Sequence, residues 1–197
     1  ARKDEAMEKI RLGCAICGSF CTYEPVLREL ERLRGEFETI VPILSERSAA
    51  TDTRFGLASA VRGRVEDVCG RKAITTVAEA EPIGPKKLLD ALLIMPCTGN
   101  TIAKLALGVT DSAVTMAAKA QLRNERPVVL AISTNDALAG NAKNIGELLA
   151  RRHYYFVPFR QDDPQGKPRS LVADFSRAEQ TVKAALEGRQ LQPLLAV

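Results

Sequence analysis

Short apolar runs alternate with helical patterns along this chain, and the alternation predicts its fold. Apolar runs of strand length occupy residues 10–17, 37–44, 89–96, 127–132 and 154–158, as expected for strands with both faces buried. Apolar residues at helical spacing predict the helices, which cover residues 23–33, 55–69, 101–107, 112–123, 137–151 and 177–187. The sequence therefore predicts an α/β fold: a three-layer, Rossmann-like, doubly wound parallel sheet.

Three other segments have weaker patterns. Residues 74–79 predict one more short strand, after which prolines and a glycine break the pattern. Residues 45–54 are polar and predict a loop. Residues 160–169 combine charges with turn residues, and we expect either a lid over a site or a surface for a partner.

Polar turns follow three of the predicted strands. In a doubly wound sheet, ligands bind at the carboxyl ends of the strands, near the point where strand order reverses. Gly18 lets a backbone approach a ligand closely, and Ser19 adds a hydroxyl beside the free N–H groups of a helix, which favours a phosphate. Thr22 belongs to the same turn. The alternative is that Ser19 or Thr22 only caps the helix.

The turn at residues 97–101 is the second part of this predicted site. Thr98, Gly99, Asn100 and Thr101 are expected to face a ring system with backbone N–H and amide groups, although Thr98 or Asn100 could instead cap the next helix. Hydroxyls of Ser45 and Ser133, each at the end of a strand, are expected to join them. Arg54 and Lys104 are candidate partners for a dicarboxylate, with solvation of both as the alternative.

Composition limits the class of protein. With 197 residues, 46% of them apolar, the chain predicts one domain over residues 1–197, with residues 1–9 disordered or vector-derived. The apolar runs are shorter than the ~20 residues of a membrane span, and the charged beginning does not resemble a signal peptide. The net charge of +4 is dispersed and aromatic residues are 5%, which disfavours nucleic-acid binding. We expect a soluble, cytoplasmic protein.

Three of the five cysteines lie close together, as Cys14-x-x-Cys17-x-x-x-Cys21. Alternate strand residues point to opposite faces, so Cys14 and Cys17 would not converge on one metal ion. We expect no metal and no disulfide, with Cys14 buried in the sheet and with Cys17 and Cys97 near the strand ends, where a redox role is possible. His153, the sole histidine, is expected at the opposite edge, which disfavours a Ser-His-Asp hydrolase.

The segment from Met95 to Asp136 resembles the homo-oligomeric flavin-containing cysteine decarboxylase superfamily. That superfamily holds FMN with a Pro-x-x-x-Asn-Thr loop, and the matching residues here are Pro96, Asn100, Thr101, Ala103, Lys104, Gly108 and Asp111. Its Gly-Ser turn, which meets the flavin phosphate, resembles Gly18-Ser19. The resemblance implies a flavoprotein fold, FMN as cofactor, and a trimer or a dodecamer built from trimers.

A narrower resemblance, to the B subunits of dipicolinate synthases, extends over residues 12–193. It depends on GSFCTYE, ATDTRFG, AEPIGPKKLLD, ISTNDALAGNAKNIGELL and PFRQDDPQGKPRS. The resemblance implies an oxidoreductase subunit that helps to oxidise a dihydrodipicolinate-level precursor to pyridine-2,6-dicarboxylate. It also implies an A subunit that carries NAD(P), and a location in the mother cell of a sporulating bacterium.

The sequence departs from the superfamily at two positions. The turn after the strand at residues 127–132 reads Ser133-Thr134-Asn135, where one branch has a phosphate-binding arginine. No histidine precedes His153, so the catalytic base of the decarboxylase branch is missing and no other residue is identified as catalytic. Three functions remain open: an FMN-binding oxidoreductase subunit, a scaffold subunit without flavin, and an FMN-dependent decarboxylase.

Overall fold

A computed structural model describes residues 10–196. The expectation for residues 1–9 lies outside the described residues. The strands are β1 (Arg11–Ile16), β2 (Thr39–Leu44), β3 (Ala91–Cys97), β4 (Val128–Thr134), β5 (Tyr154–Phe156), β6 (Phe159–Arg160) and β7 (Leu171–Ala173). The α-helices are α1 (Tyr23–Leu33), α2 (Glu46–Ala50), α3 (Ala58–Cys69), α4 (Val77–Ala80), α5 (Gly99–Leu107), α6 (Ala113–Arg123), α7 (Ala142–Ala150) and α8 (Ala178–Leu186).

The sheet is mainly parallel, in the order β2-β1-β3-β4, and β5 continues it beside the first half of β4. Helices cover both sides, which confirms the predicted doubly wound α/β fold. The prediction of a purely parallel sheet is wrong at one end. There, Ser133 and Thr134 of β4 pair with an antiparallel ribbon formed by β7 and β6.

The core surrounds the two central strands. Every residue of β3 is buried, and so is β4 from Val128 to Ser133, which accounts for their nearly unbroken apolar sequences. Helix α1 directs Val26, Leu30 and Leu33 into this core at helical spacing. Within residues 10–196, no helix has the length and apolar character needed to cross a membrane.

Helix-capping chemistry overrides two of the predictions. Residues 74–79 are not a strand: only Ile74 pairs with Ile43, and α4 begins after Thr76, whose hydroxyl accepts from the N–H of Glu79 in a reciprocal capping box. The loop predicted at residues 45–54 contains α2, because the Ser45 hydroxyl accepts from the N–H of Ser48, 3.2 Å away.

Two helices begin later than predicted. Helix α3 begins at Ala58, whose N–H donates to the Asp52 carboxylate at 2.8 Å, and the intervening residues make a tight turn closed by two backbone hydrogen bonds between Thr53 and Gly56. Helix α7 begins at Ala142, because the backbone N–H of Asn141 turns back to the Asp136 carbonyl. Both turns lie near the strand ends, where they shape the candidate site.

Candidate functional site

The site lies where the order of the strands reverses. β1 has β2 on one side and β3 on the other, so the chain leaves β1 in one direction and later returns on its other side. The Gly18-Ser19 turn follows β1, and Thr98 follows β3. The two predicted turns are therefore neighbours at the switch point of the sheet, the usual ligand position in this class of fold.

Two adjoining clefts open at this point, with volumes of about 730 and 560 Å³. Both lie within the roughly 300–1,000 Å³ of small-molecule sites. Gly18, Thr98 and Asn100 line both clefts and form the ridge between them. All eleven residues predicted from the sequence line one or the other: Gly18, Ser19, Thr22, Arg54, Thr98, Gly99, Asn100 and Ser133 the first, and Ser45, Thr101 and Lys104 the second.

The Gly18-Ser19 turn is held by its own hydrogen bonds. The hydroxyls of Ser19 and Ser133 are 3.0 Å apart, and the Ser19 N–H donates to the Cys17 carbonyl at 2.9 Å. Neither Ser19 nor Thr22 caps a helix with its side chain, so that alternative is wrong. Within residues 10–196, the N–H groups without an acceptor here include those of Gly18 and Phe20.

Thr98 caps α5, as one alternative predicted. Its hydroxyl oxygen accepts from the N–H of Thr101 at 3.4 Å, and the two hydroxyls are 3.2 Å apart. The Thr101 hydroxyl then donates to the Cys17 sulfur at 3.2 Å, which joins the ends of β1 and β3. Asn100 is not the cap: its side chain is exposed and makes no hydrogen bond with any described residue. The first N–H groups of α5 also lack intrahelical acceptors.

Gly99 lies against a polar network that the sequence did not reveal. The Asp136 carboxylate accepts from the Thr134 hydroxyl at 2.6 Å and from the Asn141 amide at 2.7 Å. A Cβ at Gly99 would lie 2.6 Å from the Asn141 nitrogen and 2.7 Å from an Asp136 oxygen. Only a residue without a side chain allows α5 to begin this close to the network.

Ser45 combines capping with a place in the second cleft. Besides capping α2, its hydroxyl lies 2.9 Å from that of Ser48, which accepts from the Tyr23 hydroxyl at 2.8 Å. Burial raises the pKa of Tyr23 to about 12, so its hydroxyl stays protonated as a donor. These bonds fix the wall of the second cleft. Glu46 extends that wall by accepting from the N–H of Ala113, at the beginning of α6.

The two predicted dicarboxylate partners differ in their surroundings. Lys104 forms an ion pair with Asp111, with 2.8 Å to both carboxylate oxygens, so its charge is already compensated. The Arg54 guanidinium lies over the Phe55 ring at 4.8 Å and forms no ion pair within the described chain. Of the two, only Arg54 offers an uncompensated charge to a ligand.

Sequence reasoning missed two cations. Arg47 lines the second cleft, and its Cβ lies 3.8 Å from the position of a Cβ built on Gly18. It forms no ion pair with any residue in 10–196. Lys167 reaches the first cleft from the segment at residues 160–169 and pairs with Asp162 at 3.2 Å. Ser45 was the sequence signal that could have predicted the position of Arg47. A serine is a typical N-cap, and a helix that begins after Ser45 places Arg47 in its first turn.

The thiols of Cys14, Cys17 and Cys97 are buried and protonated. Burial raises the pKa of Cys17 to about 11, although hydrogen bonds from Thr101 and the Thr98 backbone partly oppose the effect. Burial also raises the pKa values of Cys14 and Cys97. Cys17 lines the second cleft, as predicted. Cys97 is the last residue of β3, at a strand end as expected, but it is fully buried and lines neither cleft. The raised pKa values of these three thiols do not favour a reactive thiolate.

All five cysteines are free thiols, and Cys21 is the exposed one. Among residues 10–196, no three His, Cys, Asp or Glu side chains are grouped so that they could hold a metal ion. His153 lies at the opposite edge of the sheet, as expected, because its carbonyl accepts from Val128 at the beginning of β4.

Known proteins resemble this chain over nearly its whole length. The model of the family described as Flavoprotein matches residues 1–174. The B subunit of dipicolinate synthase from Bacillus subtilis (strain 168) is 46% identical over 185 residues, which are 94% of this chain and 92% of that protein. The crystal structure of the dipicolinate synthase B subunit from Bacillus halodurans C has 43% identity and a TM-score of 0.89, and the match covers 97% of this chain and 98% of that one.

A more distant structure shares the fold. The FMN-dependent cysteine decarboxylase SpaF is 24% identical, with a TM-score of 0.65 over 91% of this chain and 100% of that one. Together, the comparisons confirm the resemblance that was inferred from the sequence motifs.

Proposed function

Since the chain belongs to the Flavoprotein family, we propose that it is the FMN-binding B subunit of a dipicolinate synthase. The observation that carries the proposal is the convergence of the predicted residues. Turns that are about 80 residues apart in sequence meet at one ridge, Gly18 beside Thr98 and Asn100, with a cleft on each side. A flavin has two parts of different chemistry, a phosphate and a ring system, and two joined clefts suit such a ligand.

The unused hydrogen-bonding groups fit FMN. The free N–H groups of Gly18 and Phe20 suit the phosphate, and Arg47, which lines the second cleft beside Gly18, can add its charge. The Asn100 amide and the first N–H groups of α5 suit the carbonyl and nitrogen acceptors of the ring. Gly99 keeps this helix end close to the Asp136 network, so that Asn100 is directed into the clefts. When bound, FMN would supply hydride chemistry.

We further propose that the complete enzyme oxidises a dihydrodipicolinate-level precursor to pyridine-2,6-dicarboxylate in a sporulating cell. Oxidation removes two hydrogens from the ring: the hydride is delivered finally to NAD(P)+ on an A subunit, which becomes NAD(P)H, and the proton is released to solvent. The chain's contribution is to bind and orient: Arg54 offers its free charge to a carboxylate of the substrate. The same proposal includes the homo-oligomer, a trimer or a dodecamer, and a location in the mother-cell cytoplasm.

The residues of the clefts support the proposed requirement for an A subunit. The Asp136 carboxylate is occupied by Thr134 and Asn141, and burial keeps the Cys17 thiol protonated. Neither is therefore a good candidate for the base, and His153 lies at the other edge of the sheet. The other carboxylates of the clefts, Glu46, Asp111 and Asp162, already accept from Ala113, Lys104 and Lys167. A partner is needed to complete the reaction.

A reconstitution assay tests this function. We expect pyridine-2,6-dicarboxylate to form only when both subunits are mixed, and Asn100→Ala or Ser19→Ala to lower the rate while the protein stays folded. Ser59→Ala is the matched control, because Ser59 is exposed on α3 and lines neither cleft. Formation of the product by the A subunit alone, at the same rate and yield, would contradict the proposal.

One observation favours a second function, a scaffold subunit that holds no flavin. The Ser19 N–H and hydroxyl already have partners within the protein, so part of the turn needs no ligand. Such a scaffold would support the A subunit equally well after Asn100→Ala. A purified chain without yellow chromophore, still able to activate the A subunit, would favour the scaffold.

A further inference from the structure

A separate cavity of about 350 Å³ lies away from the two clefts. Its walls come from the end of α5 and the residues after it, from one face of α6, and from the beginning of β5. Thr115, Lys119, Leu122 and Arg123 are at helical spacing and present one side of α6 to the cavity. The cavity does not include any residue of the Gly18 or Asn100 turns.

One wall of this cavity carries Tyr154, whose hydroxyl has no hydrogen-bond partner within residues 10–196. Tyr154 is 7% exposed. The ring is buried, but the hydroxyl oxygen is not among the fully buried polar atoms without a partner, so it is open to the cavity. Tyrosine hydroxyls in such surroundings usually find a partner. Burial raises the pKa of Tyr154 to about 12, so at neutral pH the hydroxyl is protonated and can donate. A ligand acceptor would satisfy it.

The rest of the lining defines the chemistry of that ligand. Leu105, Val109 and Leu122 give apolar walls. Lys119 and Arg123 are exposed on α6 and form no ion pair within the described chain, so two positive charges stand at the outer part of the cavity. Arg151 is different, because its guanidinium donates to the carbonyls of Leu105 and Ala106 and is already used to close the end of α5.

We propose that this cavity is a second small-molecule site, which binds a compact carboxylate with an apolar or aromatic body. The carboxylate lies between Lys119 and Arg123, the body packs on the leucine and valine walls, and a second acceptor receives the Tyr154 hydroxyl. This site does not depend on the flavin proposal. Helix α5 connects this site with the clefts, because the beginning of the helix carries Gly99 and Asn100 and its end lines the cavity.

Fluorine NMR can test the site directly, because the chain has three tyrosines and no tryptophan. In protein labelled with 3-fluorotyrosine, Tyr154 reports on the cavity and Tyr23 on the second cleft, with assignments from Tyr→Phe variants. The probes are benzoate and pyridine-2,6-dicarboxylate, with uncharged benzamide for comparison. We expect at least one carboxylate to shift the Tyr154 resonance in a saturable manner while the Tyr23 resonance stays in place, and benzamide to bind more weakly.

Variants separate the contributions. Removal of the hydroxyl in Tyr154→Phe, read by calorimetry, is expected to weaken binding of pyridine-2,6-dicarboxylate, whose second carboxylate can accept from it, about 5- to 10-fold, and to leave benzoate nearly unchanged. The double variant Lys119→Gln/Arg123→Gln should weaken binding of pyridine-2,6-dicarboxylate further and remove its dependence on salt. Arg71→Gln, a control at an exposed arginine outside the cavity, should bind normally.

Three results would overturn the proposal. The first is a Tyr154 resonance that neither carboxylate shifts at millimolar concentration in folded protein. The second is equal affinity of the double variant and the Arg71→Gln control. The third is a Tyr154 resonance that changes with protein concentration alone and no longer responds to the probes, since the cavity would then be covered by a second copy of the chain.

Discussion

Replacement of Gly99 by alanine changes the packing at the point where α5 meets the Asp136 network. The new Cβ would lie 2.6 Å from the Asn141 amide nitrogen, and 2.7 Å from both an Asp136 oxygen and the Thr134 hydroxyl. Real Cβ contacts are longer than this, so these groups must move. They cannot move freely, because Asn141 is buried and is bonded to the same carboxylate.

The size of the effect follows from two opposing contributions. Alanine in place of glycine in a helix contributes up to about 1 kcal/mol, and less at a helix end. Overpacking costs about 1–3 kcal/mol, and each weakened hydrogen bond to the carboxylate costs about 1.5–3 kcal/mol when lost. We expect a net loss of about 1–3 kcal/mol, and a fall in Tm of roughly 2–4 °C per kcal/mol for a chain of this size.

Urea unfolding followed by far-ultraviolet circular dichroism measures this loss, and a parallel FMN titration measures the effect on the clefts. Gly146→Ala is the matched control. Gly146 lies within α7 and has no atom within 4 Å of a built Cβ, so alanine there should stabilise by up to about 1 kcal/mol. A Gly99→Ala variant as stable as the Gly146→Ala variant would refute the packing argument.

Three more results are expected. Thr98→Ala should cost about 1 kcal/mol in unfolding free energy and weaken FMN binding, and Thr98→Ser should restore both, because the Thr101 N–H needs a hydroxyl cap; equal stability of both variants would exclude that cap. The backbone N–H of Ala73 and then the guanidinium of Arg62 lower the pKa of Glu66 from 4.5 to about 2. Its contribution to the free energy of unfolding is therefore complete above about pH 4.5 and is lost as the pH falls toward 2. In Glu66→Gln, the free energy of unfolding should depend less on pH over that range, and an unchanged pH dependence would contradict this role of Glu66. A thiol reagent at pH 8 should modify Cys21 rapidly and Cys17 only after unfolding, with FMN slowing the reaction at Cys21; rapid labelling of Cys21→Ser would contradict this.

The central fold could be predicted because its signals are local. Strands β1, β3 and β4 are continuous apolar runs, and the Gly18 and Asn100 turns come directly after two of them. Once the runs are assigned to neighbouring parallel strands, the positions of the turns follow from the geometry of the sheet. The residues of these two turns could therefore be placed at the clefts from sequence.

The missed features depend on contacts between distant residues. Asp136 and Asn141 appeared as ordinary turn residues, and only their packing against Gly99 shows the network. The ribbon of β6 and β7 has strands of two and three residues, too short for a periodic pattern. The compensation of Lys104 by Asp111 is a local contact, but it crosses the end of α5 at Gly108, beyond which helical periodicity no longer predicts which side chains meet.

Titration of flavin-free chain with FMN and with riboflavin tests the central claim most directly. Calorimetry and quenching of flavin fluorescence should show one FMN per chain, bound about 10- to 100-fold more tightly than riboflavin, because only FMN has the phosphate for the Gly18 and Phe20 N–H groups. Asn100→Ala should weaken both ligands, and Ser59→Ala neither. Equal affinity for FMN and riboflavin, or no binding of FMN by folded protein, would contradict the account.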